Sequence, residues 1–155
     1  MSDVTLTIDG RKVTVPRGTT IFDAARLNGI PIPTLCHQQH QTPVGVCRVC
    51  TVEVKNQRVL AAACVRPAEE GMVVATASDT VRRARRTLAE LLLADHPSPC
   101  ERQQTTGDCE LEQLGAQLLD APASTESARA IEGRGSAEAA SPPSGGTPAP
   151  PIVIG

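Results

Sequence analysis

Aromatic side chains are nearly missing from this 155-residue sequence: there is no Trp and no Tyr, and Phe22 is the only Phe. A core must therefore be built from Val, Ile, Leu and Ala, and stacking of bases on aromatic platforms is excluded as a binding mode. Excess charge is missing too. A formal net charge of −2 leaves no nucleic-acid footprint. Long apolar runs are absent: the longest greasy stretch, residues 88–94, is far short of a bilayer span and carries Glu90. The opening MSDVTLTID has neither a basic n-region nor an apolar h-region, so a cytoplasmic chain without membrane insertion is expected. In that compartment six cysteines serve more readily as metal ligands or redox groups than as disulfides.

Four of those cysteines, Cys36, Cys47, Cys50 and Cys64, follow the spacing C-x10-C-x2-C-x13-C within a Val/Thr-rich stretch. One folded loop and one later strand end would supply four thiolates, the donor set of a two-iron, two-sulfur cluster. The Cys47-Arg48-Val49-Cys50 turn lets two sulfurs point to one side, and Gly45 before it permits unusual φ values. Backbone N–H groups of such a loop can donate to the sulfurs and offset the cluster's negative charge. Two other readings stand beside this one. Structural zinc would use the Cys pair with His37 or His40, although zinc commonly takes paired C-x2-C units or a Cys pair with a His pair. Inert buried cysteines are the other, but Cys47 and Cys50 lie in a Gly/Pro-flanked loop rather than on a core face. His37 and His40 read as surface residues of a polar loop.

Residues 4–9 (VTLTID) and 12–15 alternate apolar and polar, predicting a β-hairpin turned at Gly10-Arg11. Thr20 and Asp23 resemble a capping box for a helix that stops at Asn28-Gly29. Residues 49–55 and 58–63 predict a second hairpin around Asn56-Gln57, and residues 72–76 a fifth strand. This order predicts an α+β, β-grasp (ubiquitin-like) domain over residues 1–77. Ser78-Asp79 predicts the cap of a helix over residues 80–94, with Val81, Ala84, Leu88, Leu91 and Leu92 on one face. Arg82, Arg83, Arg85 and Arg86 fall mostly on the other face, where they read as solvated. After a loop over residues 96–108 comes a shorter amphipathic helix with Leu111, Leu114, Leu118 and Leu119, completing a helical segment over residues 78–120. Residues 121–155 are Ala-, Pro-, Ser- and Gly-rich and predict a flexible, disordered linker or tail. The terminal PIVIG reads as the first strand of something further, so a fragment of a longer polypeptide is expected.

The stretches Thr34-Leu35-Cys36, Pro43 to Val54 (PVGVCRVCTVEV), Ala63-Cys64 and Glu70 to Val74 (EGMVV) resemble one particular ferredoxin domain. It is the N-terminal two-iron domain of the large iron–sulfur subunit of respiratory complex I. The same domain opens iron-only hydrogenases, the small diaphorase-type subunit of NAD-reducing hydrogenases, and NAD-dependent formate dehydrogenases. The resemblance covers roughly residues 1–120 and differs from the plant-type C-x4-C-x2-C spacing. It implies a 2Fe-2S cluster on Cys36, Cys47, Cys50 and Cys64. It also implies electron transfer between a flavoprotein or NAD(H)-handling subunit and a hydrogenase, formate dehydrogenase or quinone-reducing partner. A free-standing ferredoxin shuttle is the alternative. With no nucleophile–base pair, no GxGxxG and no P-loop, the chain is not expected to turn over a substrate by itself.

In that family a second motif follows, H-x3-C-x2-C-x5-C, which binds a 4Fe-4S cluster. His96, Cys100 and Cys109 match it, but Gln103 stands at the middle cysteine position. A neutral amide oxygen is a poor iron ligand where soft sulfur is wanted. Three outcomes are open: the cluster is lost, it forms with a labile iron, or the three residues hold a mononuclear metal such as zinc with water as fourth ligand.

Overall fold

The computed structural model describes residues 3–120. β1 (Asp3–Ile8) buries Val4, Leu6 and Ile8 on one face, and β2 (Arg11–Pro16) buries Val13 and Val15 beside them. Leu6 and Ile8 are almost wholly removed from water, each stabilising the fold by about 1.5–3 kcal/mol. The hairpin turns at Asp9-Gly10 rather than at the expected Gly10-Arg11, because Ile8 pairs with Arg11. Asp9 and Gly10 both have positive φ (47° and 81°), the two-residue turn whose twist matches the flanking strands.

α1 (Ile21–Leu27) begins as predicted. Thr20 Oγ1 accepts from the Asp23 N–H at 3.1 Å and donates to Asp23 Oδ2 at 2.9 Å. Its buried face, Ile21, Ala24 and Ala25, packs into the same core as β1 and β2. Asn28 Nδ2 bonds the Ala24 carbonyl at 2.9 Å, and Gly29, at φ 69°, ends the helix.

β3 (Thr51–Val54), β4 (Ala61–Ala62) and β5 (Val73–Ala75) complete a mixed sheet of order β2-β1-β5-β3-β4. β5 runs parallel to β1 and antiparallel to β3, giving the β-grasp arrangement with α1 on the sheet. The second hairpin is shorter than its sequence pattern predicts. Arg48 at φ 59° turns the chain just before β3, and Val59, 74% exposed, contributes nothing to hold residues 58–60 in the sheet.

α2 (Asp79–Ala94) is capped by Ser78, whose Oγ accepts from the Val81 N–H and donates to Glu53 Oε2 at 2.7 Å, fastening the helix to β3. Its fully buried stripe is Val81, Arg85 and Ala89, while Leu91 is exposed. Arg85 therefore departs from the solvated face expected for the basic run. Arg83 and Arg86 do face outward, Arg86 pairing with Glu90 of its own helix, while Arg82 is half-buried and pairs with Asp79. α3 (Glu101–Thr105) occupies part of the expected loop, and α4 (Glu110–Leu119) packs on α2 through Leu114 and Gly115. The Pro/Ala-rich tail over residues 121–155 lies outside the described residues.

Candidate metal centres

Residues 28–50 connect α1 to β3 without helix or strand, and this loop carries Cys36, Cys47 and Cys50. Two close turns shape its end. Gly45 sits at φ 65°, where a Cβ would be 3.1 Å from Val65 Cγ1, so both the conformation and the close approach call for glycine. Arg48 at φ 59° then folds the x-x of the C-x2-C turn, and its carbonyl accepts from the Thr51 N–H at 3.0 Å. Cys64 arrives from the other side, just past β4, where the Ala63 N–H donates to the Cys50 carbonyl at 3.2 Å.

The four thiols converge as two pairs. Cys36 and Cys47 interact through their side chains and are half-buried; Cys50 and Cys64 do the same and are each only 1% exposed. Burial pushes the Cys36 thiol up, but hydrogen bonds from the Cys47 backbone and side chain and the Val46 backbone outweigh it, leaving Cys36 below the ordinary thiol value. Burial raises Cys47 and prevails over the N–H of Val49. Burial also drives Cys64 up to about 12, reinforced by the thiol of Cys50 and by the charges of Cys50, Cys36 and Cys47. Four thiolates so close together repel one another unless cations lie among them, so the site fits a two-iron, two-sulfur cluster.

Sequence reasoning missed a cation beside this centre. Arg85 of α2, 7% exposed, donates from Nη2 to the Thr51 carbonyl at 2.7 Å, one residue past Cys50. Burial lowers its pKa to about 10, opposed by the negative charges of Cys50 and Asp9. The one signal for it in the sequence is its i+4 spacing from Val81 and from Ala89, easily lost in a run of arginines.

At the other end of α2, His96, Cys100 and Cys109 meet, with their donor atoms all within 4.8 Å of one another. Cys100 caps α3 through its side chain and Cys109 stands at the N-terminal boundary of α4 without a side-chain capping bond, both buried; Cys109 Sγ is 3.5 Å from His96 Nε2. Gln103 does not point into the cluster as a ligand. Its Oε1 accepts from the Cys109 N–H at 3.1 Å, and its own N–H donates to Cys100 Sγ at 3.5 Å. Glu112, which the sequence did not single out, brings Oε1 to 3.5 Å from His96 Nε2. Arg102 braces the approach to α4 with a two-pronged bridge to Asp108 at 3.0 and 3.1 Å; it and the Thr106 hydroxyl hold that carboxyl down at about 2. Three donors crowded together, with the fourth corner's residue bound to the backbone, do not fit a four-iron, four-sulfur cluster.

Comparison with known proteins places these features. The chain is 47% identical over 119 residues to the NADP-reducing hydrogenase subunit HndD of Solidesulfovibrio fructosivorans, a match covering 74% of this chain and 20% of that protein. It is 38% identical over 113 residues to the mitochondrial NADH-ubiquinone oxidoreductase 78 kDa subunit of Candida albicans, covering 73% and 16%. Among solved structures, an NAD+-reducing NiFe hydrogenase in the H2-reduced state superposes with a TM-score of 0.66 at 36% identity, covering 76% of this chain and 49% of that one. The chain thus spans a minor part of the length of the curated relatives it matches. No helix among the described residues is long and apolar enough to cross a membrane. Residues 1–79 match the family described as a 2Fe-2S iron-sulfur cluster binding domain, and the chain belongs to that family.

Proposed function

We propose that Cys36 and Cys47 hold one iron of a 2Fe-2S cluster and Cys50 and Cys64 the other, and that the chain relays single electrons within a larger NAD(P)H-linked oxidoreductase or hydrogenase. The observation that carries this reading is the convergence of four thiols in two side-chain pairs, drawn from one long loop and the end of β4. When bound, the cluster supplies one-electron chemistry; the protein places it and tunes it. The N–H groups of Val46, Cys47 and Val49 favour the thiolate forms of Cys36 and Cys47. Cys50 and Cys64 form the buried side, whereas Cys36 and Cys47 lie nearer solvent, where an electron would enter or leave. The names of the relatives suggest an NAD(P)(H)-handling subunit as one neighbour, for which a flavoprotein would suit the one-electron exchange, and a hydrogenase or quinone-reducing component as the other.

Anaerobic purification with iron and sulfide quantitation, followed by EPR after dithionite reduction, tests this. The expected result is about two irons in this centre per chain, with a rhombic two-iron signal that Cys64→Ala abolishes. A chain carrying zinc and no iron at these cysteines would overturn the reading.

A further inference from the structure

We propose that His96, Cys100 and Cys109 bind a single zinc-class divalent ion, with the Glu112 carboxylate on the fourth side, in place of an iron–sulfur cluster. Two distances at His96 Nε2 carry the argument, with Cys100 Sγ within 4.8 Å of the His96 and Cys109 donors. Two donors sharing one tetrahedral zinc, with bonds of about 2.3 Å to sulfur and about 2.0–2.1 Å to nitrogen, stand about 3.6 Å apart. Cys109 Sγ and His96 Nε2 are 3.5 Å apart. A nitrogen and a carboxylate oxygen on one zinc stand about 3.4 Å apart on the same reasoning, and His96 Nε2 and Glu112 Oε1 are at 3.5 Å. The donors of a cubane sit on separate irons and spread wider than donors on one ion.

The architecture around the donors favours the same reading. Gln103 is engaged as a bracket, holding the Cys109 N–H with its amide oxygen and Cys100 Sγ with its own N–H, so it fixes both cysteines without coordinating. Cys100 and Cys109 are buried, and Cys109 stands at the start of the ten-residue α4. Two thiolates, an imidazole and a carboxylate suit zinc better than magnesium or calcium. The ion would tie the end of α2 to the starts of α3 and α4, a structural role separate from electron transfer.

The test uses the full chain with its two-iron cluster in place, so that zinc cannot simply fill the four-cysteine site. Metal analysis after supplying Zn2+ is expected to give about one zinc per chain. Co2+ substitution is expected to give the thiolate charge-transfer bands of a tetrahedral site. Cys109→Ser should lose the zinc while keeping both irons and the two-iron EPR signal, which shows that the variant is folded. Glu112→Gln should weaken zinc binding by about tenfold. About six irons per chain with a second, four-iron signal would overturn the proposal. So would a wild-type chain that takes up neither zinc nor cobalt. Missing iron at the four cysteines would instead count against the electron-relay reading alone.

Discussion

Arg85 brings a full positive charge into the seam between α2 and β3, where Nη2 is satisfied by the Thr51 carbonyl and its Nε is buried with no hydrogen-bond partner among the described residues. A buried guanidinium with incomplete partners is costly, and a well-packed apolar residue there is often no less stable. Its effect on a neighbouring cluster is clearer in sign. Reduction adds negative charge beside Cys50, and a nearby cation favours the reduced state. Arg85→Met should therefore lower the reduction potential, on the order of tens of millivolts for one charge at an effective dielectric of about 20. Arg85→Lys should recover part of that shift. An EPR-monitored redox titration decides it, and a Met variant with the wild-type potential would remove Arg85 from the tuning of the centre. Little of this was legible in the sequence beyond the i+4 spacing from Val81 and Ala89, because an arginine within a basic run reads as solvated until the helix phase against β3 is known. The four cysteines stood out in the sequence, because four soft donors at that spacing have few uses other than holding a metal or cluster.

The elements differ in how far the sequence disclosed them. β1, β2 and α1 announce themselves through strict alternation, a turn dipeptide and a capping box, all of which act within a few residues. α3 does not: every residue from Glu101 to Thr105 is exposed, and it is held by the Cys100 cap and by the Arg102–Asp108 bridge beyond its end. The packing of α4 on α2 also depends on a non-local fact. A Cβ on Gly115 would lie 2.6 Å from Leu93 Cδ1, so the two helices approach through glycine. Gly115→Ala pushes only the flexible tip of Leu93 and gains about 1 kcal/mol of helix propensity, so its net effect should be small. Gly115→Leu has no such escape and should destabilise by about 1–3 kcal/mol, the usual cost of overpacking. Thermal unfolding of both variants checks this, and Leu93→Ala should restore part of the loss in the Leu variant. Equal destabilisation by Ala and Leu would mean that backbone, rather than the Leu93 tip, sets the limit.

Taken whole, the described chain is a small apolar core of Val, Ile, Leu and Ala with one long connection, residues 28–50, that contributes little to it beyond Ile30, Ile32, Val49 and Cys50. Loops of this length without secondary structure need a reason to stay folded. The proposed two-iron cluster supplies it, since it would join Cys36 to Cys47 and tie both to Cys50 and Cys64. Ligation to folded but not unfolded chain is itself folding free energy. A covalent crosslink closing a loop of about 15 residues contributes about 3 kcal/mol, which sets the scale. Removing the metal should therefore act unevenly. Residues 34–50 should lose hydrogen-exchange protection, while the hairpin of β1 and β2 with α1 keeps most of its own, because Val4, Leu6, Val13, Val15, Ile21, Ala24 and Ala25 supply most of the buried side chains there, and Cys50 and Cys64 only join the same core from the side of the centre. Hydrogen exchange on the cluster-loaded and the chelated chain reads this directly. Identical protection across residues 34–50 in both states would show that the loop folds on packing alone and that the cluster rides on a preformed cradle.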